Sequence, residues 1–129
     1  MKVIKQTYLI NASSKKVWEA LTNSEIIDQW GGGPSKMNAK KGADFSLWGG
    51  DIFGKNIEVI PEKKLVQEWF GGKWDNPSIL TFVLKNKNEK TEVLLTHVNV
   101  PEKEIKDIEE GWKDYYMIPL KNLVEEENN

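Results

Sequence analysis

The one imidazole in this 129-residue sequence belongs to His97, set in the run Leu94-Leu95-Thr96-His97-Val98. A histidine beside a serine and a carboxylate would make a hydrolytic triad, the most demanding chemistry this chain could support. Much of what could accompany it is missing. There is no cysteine, hence no thiolate nucleophile, no disulfide and no cysteine-ligated metal. With a single histidine, a zinc site would have to draw every other ligand from carboxylates. All 18 basic side chains are lysines; without arginine there is no bidentate clamp for phosphate or carboxylate. A solitary histidine in a half-buried strand is more often a hydrogen-bonded structural or cavity-lining residue. We therefore expect no catalytic residue, no metal and no cofactor, and His97 is the residue any cyclase or hydrolase activity would need.

Two further motifs invite chemistry and lose on context. Gly49-Gly50-Asp51-Ile52-Phe53-Gly54-Lys55-Asn56 resembles a phosphate-binding loop. That loop requires a helix opening directly after the lysine and a hydroxyl for the metal. Here Asn56 replaces the hydroxyl and Ile57-Glu58-Val59-Ile60 reads as strand, so a hairpin turn is expected. Glu109-Glu110 looks like a carboxylate pair, but adjacent helical positions diverge by about 100°. The aromatic inventory is more unusual, with six of thirteen aromatic residues being tryptophan. Indole and phenol rings combine apolar bulk with one polar handle, the composition of a ligand-cavity wall. The expected cavity residues are Phe45, Trp48, Trp69, His97, Ile108, Trp112, Tyr115 and Tyr116, with Trp74 beside a glycine-rich turn as a further candidate.

Those residues must be positioned by the elements around them. Residues 2–10 alternate as a strand. Asn11-Ala12-Ser13-Ser14 then offers N-cap groups to a helix carrying Val17, Trp18 and Leu21. Thr22-Asn23-Ser24 breaks it and caps a second short helix with Ile26, Ile27 and Trp30, ended by Gly31-Gly32-Gly33-Pro34. Strands are predicted at 43–48, 52–60, 64–70, 78–85 and 91–100; the short separators allow antiparallel hairpins only. After Pro101 the period becomes helical, with Ile105, Ile108, Trp112, Tyr115, Tyr116, Pro119, Leu123 and Val124 on one stripe. Pro119 should kink the final turns. One domain over 1–129 is expected, with 125–129 a frayed tail. The class is α+β, a curved antiparallel sheet covered by a long C-terminal helix.

Charge is uneven. Residues 1–100 carry 14 lysines against 11 acidic residues, and residues 101–129 carry 4 against 9. An acidic end and a formal net charge of −2 argue against a nucleic-acid partner. No run suits a signal sequence or a membrane span, so a cytoplasmic protein without membrane insertion is expected.

Several segments, taken in order, resemble a known family. They are Val17-Trp18-Glu19-Ala20-Leu21-Thr22, Trp30-Gly31, Gly42-Ala43-Asp44-Phe45, Val59-Ile60-Pro61-Glu62-Lys63, Thr91-Glu92-Val93 with Thr96-His97, and Gly111-Trp112-Lys113-Asp114-Tyr115-Tyr116. Together they resemble the activators of the 90-kDa heat-shock protein ATPase, especially the C-terminal domain of the eukaryotic members. The resemblance implies the helix-grip fold shared with START domains and the birch-pollen allergen. It further implies that Gly111 lets the long helix approach the sheet closely. Two functions are expected. One is a non-catalytic protein holding an apolar or amphipathic small molecule between sheet and helix; the other is an interaction module for a 90-kDa-class chaperone.

Overall fold

The computed structural model of the chain describes residues 3–127. Strand β1 (Ile4–Ile10) leads into helix α1 (Ser14–Thr22), whose N-cap Ser13 hydroxyl accepts from the Lys16 amide. Asn23 ends α1 and caps α2 (Ser24–Trp30) by accepting from the Glu25 amide. One side chain thus turns the chain between two helices, as its short polar group favours. Gly31 closes α2 in the left-handed conformation, φ 106°, where a side chain would be strained.

Five further strands follow: β2 (Asp44–Leu47), β3 (Ile52–Ile60), β4 (Lys64–Gly71), β5 (Ser78–Lys87) and β6 (Lys90–Val98). They form one antiparallel sheet in the order β1-β6-β5-β4-β3-β2. The expected strand boundaries hold to within two residues at each end. At Gly54 on β3 a Cβ would lie 1.8 Å from the Glu68 carbonyl oxygen, so only glycine permits β3 and β4 to pass this closely.

Several strands are apolar on both alternations, and the register decides which set is buried. Leu65, Trp69, Leu80, Phe82, Val93 and Leu95 point into the core, whereas Val66, Phe70, Ile79, Val83, Leu94 and Val98 lie half-buried on the opposite face. A polar pair also sits inside. Gln67 Nε2 donates to Asn56 Oδ1 at 2.9 Å, and Asn56 Nδ2 donates to the carbonyls of Asn38 and Lys40. These bonds clamp the 36–43 loop to the sheet and leave few buried polar atoms unpaired.

The C-terminal helical run starts with a 3-10 turn (Glu102–Glu104) and continues as α3 (Ile105–Gly111) and α4 (Ile118–Glu127). Between them Trp112–Met117 is π-helical, with the Ile118 amide donating to the Lys113 carbonyl. The disturbance expected at Pro119 therefore takes the form of a wider turn just before it. Proline has no N–H to give to the Tyr115 carbonyl, and an extra residue is most readily absorbed where the ladder already lacks a donor. That residue rotates the stripe. Trp112, Tyr116, Met117, Leu120 and Val124 are buried, while Pro119 and Leu123 are half-buried and Tyr115 is 69% exposed. Met117 and Leu120, which the expected stripe lacks, are fully buried.

Two other expectations change. At Gly111 the nearest atom to an added Cβ is Tyr115 Cδ2 at 4.0 Å, so close approach to the sheet does not require this glycine. The acidic end is helical through Glu127, and Glu125 accepts from the Asn11 amide and from Lys121 Nζ; of the expected frayed tail, 128–129 lie outside the described residues. Strand β1 is tied to the helix by Gln6, whose Nε2 donates to the Glu109 carbonyl at 2.8 Å. The Tyr8 hydroxyl donates to Gln6 Oε1. Partial burial, reinforced by Asp114, holds the Tyr8 phenol above its ordinary range.

Candidate functional site

His97 on β6 is fully buried and hydrogen-bonded at both ring nitrogens. Trp112 Nε1 lies 3.0 Å from His97 Nδ1. Indole nitrogen can only donate, so Nδ1 must accept, and the proton of the neutral ring resides on Nε2. Nε2 then donates to Ser78 Oγ at 2.7 Å, and Ser78 Oγ donates to the Trp69 carbonyl at 2.8 Å. Burial lowers the His97 pKa to about 3, so the ring is neutral throughout the physiological range. A serine and a histidine are thus in contact, but the donors run from histidine to serine, the reverse of what nucleophile activation requires. No carboxylate occupies Nδ1; Trp112 does.

Around this chain the rings close up. Trp69 stacks on Trp112 with centroids 5.0 Å apart and an interplanar angle of 28°, and His97 meets Trp69 edge-on at 88°. Tyr116 lies 4.7 Å from Trp112 and 4.6 Å from Trp30, and complete burial raises its phenol pKa far above the ordinary value. These are the tilted and edge contacts that aromatic quadrupoles favour.

The outer end of the cluster opens into a pocket of about 280 Å³ between the helix and the start of β3. Six of the eight expected residues line it: Trp48, Trp69, Ile108, Trp112, Tyr115 and Tyr116. Phe45 and His97 do not; both are buried behind it, with Phe45 packed toward Gly54 and His97 sealed by its hydrogen bonds. Trp74 lines a neighbouring depression with Gly71, Lys73 and Glu104, and the two hollows share Ile52 and Ile108. Four lining residues escaped the sequence reading: Asp51, Ile52, Asp107 and Gly111. Asp107, Ile108, Gly111, Trp112 and Tyr115 follow one helical face, so the spacing did hold a signal for two of them. Asp51 and Ile52 arrive through a 3-10 turn, Trp48–Gly50, that sequence patterning does not predict.

Trp48 is fixed at this turn by its Nε1 donating to the Gly31 carbonyl at 2.8 Å. Trp69 differs: its indole N–H is buried and finds no acceptor among the described residues. The glycine motif 49–56 runs straight into β3, with no helix after Lys55. Among the described residues no three His, Asp or Glu side chains converge as a metal site requires. No helix among them is long and apolar enough to cross a membrane.

With this geometry in place, comparison with known proteins is specific. The family model described as Activator of Hsp90 ATPase homolog 1-like protein matches residues 11–125. The human Activator of 90 kDa heat shock protein ATPase homolog 1 is 26% identical over 120 residues, covering 92% of this chain and 35% of its own length. The chain thus spans about a third of the curated relatives it matches. Among solved structures, an HSP90 activator from Plasmodium falciparum superposes with a TM-score of 0.88 at 22% identity, covering 95% of this chain and 96% of the other. The Aha1 dimer from Colwellia psychrerythraea gives a TM-score of 0.84 at 23% identity, covering 97% of both chains. At these identities the two structures show a shared fold.

Proposed function

The chain belongs to the Activator of Hsp90 ATPase homolog 1-like family, and on that premise we propose that it is a chaperone-associated binding domain without catalytic chemistry of its own. Its partner is a 90-kDa-class heat-shock ATPase in the cytoplasm. The observation that carries this is the colinear match over 11–125, which places Trp112, Tyr115 and Tyr116 within the matched region. The hydrogen-bond direction through His97 and Ser78 supports the non-catalytic part. Mixing the domain with the cognate chaperone should raise ATP turnover or yield a complex in sedimentation. An unchanged rate with no complex would remove the proposal.

The aromatic pocket favours a second reading, in which the domain holds a small apolar or amphipathic molecule between sheet and helix. A hollow of this kind, mostly apolar with a few polar groups, is the usual form of a small-molecule site. Tryptophan fluorescence is the direct probe, since Trp48, Trp69 and Trp112 all line the space. Titration with lipid, flavonoid and sterol panels should shift emission and raise the melting temperature for a ligand that enters.

A further inference from the structure

We propose that the free edge of β1 pairs antiparallel with β1 of a second copy of this chain, joining the two sheets across a two-fold axis. The two edges of the sheet differ. β2 spans four residues, and the segment before it covers its outer side. There Lys36 and Ser46 each donate an amide to the other's carbonyl at 2.9 Å. β1 spans seven residues, pairs with β6 along its whole length, and has no strand on its other side among the described residues. It carries no proline, no bulge and no inward-pointing charge, three devices that keep an edge from pairing.

Its outer face also asks for a neighbour. Leu9, 51% exposed, is the most exposed leucine, isoleucine or valine among the described residues. Its cross-strand partner on β6 is Glu92, so no apolar side chain answers it there. A strand laid against β1 would cover it.

The pattern of β1 identifies that strand as β1 itself. Centred on Thr7, an antiparallel register pairs the whole element: Ile4 with the partner's Ile10, Lys5 with the partner's Leu9, Gln6 with the partner's Tyr8. Buried positions meet buried positions, and Lys5, the one charge on β1, never faces its own copy. Its aliphatic stem lies over the partner's Leu9, with the partner's Glu92 next in the same row. Two strand spacings, about 10 Å, separate Lys5 from the partner's Glu92, and the two extended side chains together bridge them. Neither Lys5 nor Glu92 makes an ion pair among the described residues. The axis makes this contact twice, as an isologous interface requires.

The test is a charge exchange. Sedimentation at low salt should show a monomer–dimer equilibrium that weakens as salt is added. Lys5→Glu and Glu92→Lys should each weaken self-association by about tenfold, because each sets like charges together at both contacts. An equimolar mixture of the two variants should dimerise again, since opposite charges then meet at both contacts of the mixed pair. Melting temperatures of the separate variants distinguish lost association from lost folding. Thr7→Cys gives a reading that needs no charge change. The chain has no cysteine, and antiparallel neighbours lie about 4.5–5.5 Å apart at Cα, within disulfide reach. Air oxidation should therefore give a covalent dimer with Thr7→Cys and none with Lys55→Cys on β3.

A chain that stays monomeric at every concentration overturns the proposal. So does a dimer indifferent to the charge changes, or one in which Thr7→Cys fails to cross-link. A monomer whose Lys5→Glu variant loses its complex with the cognate chaperone would assign the edge to that partner and likewise overturn it. None of these outcomes bears on the small-molecule reading.

Discussion

Trp112 and Trp69 stack on one another, yet their indole N–H groups meet opposite fates. On the inner side, Trp112 donates to His97, His97 to Ser78, and Ser78 to the Trp69 carbonyl, so every polar atom in the series is used. On the outer side, Trp69 lines the pocket while its N–H is buried with no acceptor among the described residues. The difference separates a tryptophan held by its polar atom from one held by packing alone. A fully satisfied network in a dry core rigidifies and specifies the fold, while a buried donor left unpaired costs stability.

The largest expected effect breaks the inner side. His97→Ala would open a cavity and orphan the Trp112 N–H, lowering stability by about 3–4 kcal/mol in chemical denaturation. A loss below about 1 kcal/mol would mean that the network contributes little. Trp112→Phe keeps a ring in place but strips His97 Nδ1 of its donor, and should cost about 2–3 kcal/mol. The same change at Trp69 removes an N–H that has no acceptor among the described residues, so the relief offsets lost packing and stability should move by about 1 kcal/mol or less. Equal costs at the two tryptophans would erase the distinction between the two sides.

Acid tests the inner side without mutation. The folded pKa of His97 is depressed to about 3, so below the unfolded value near 6.5 the unfolded chain binds a proton that the native chain refuses. Stability from this group is complete above that value and declines as pH falls toward 3, by about 2 kcal/mol between pH 7 and pH 5. His97→Gln should flatten this part of the profile. The smallest effect lies on the outer side. Gly111 has helical backbone angles and room for a methyl group, so Gly111→Ala should stabilise the helix by about 0.5–1 kcal/mol. Because Gly111 lines the pocket, the same methyl should weaken any ligand there. Stability and binding would then move in opposite directions, as they do not on the inner side.

Much of the scaffold was legible because its signals are local. Ser13 and Asn23 cap helices through side-chain bonds that reach only two or three residues, and hairpin turns announced the strands. The pocket was legible in part. Trp48, Trp69, Ile108, Trp112, Tyr115 and Tyr116 stood out as aromatic or apolar groups near turns and on one helical stripe. Phe45 and His97 shared that description and ended in the core instead. Aromatic type indicates burial against something, but not whether the other side is protein or open space. Asp51 carried no signal, since a carboxylate near a turn is ordinarily solvated, and Asp107 had only its place on the helical face that carries Ile108 and Trp112.

The sequence by itself determined the order of elements, the antiparallel sheet and the long amphipathic helix, because period, capping and turn chemistry act between near neighbours. It also removed thiolate chemistry and guanidinium clamps by composition alone. Only the tertiary structure decided which alternation of each strand is buried, that His97 carries its proton on Nε2, and that a π-helical turn sends Tyr115 outward. Those outcomes depend on partners distant along the chain: Trp112 is 15 residues from His97, and Ser78 is 19. A hydrogen bond between distant residues has a direction only once the fold has brought donor and acceptor together.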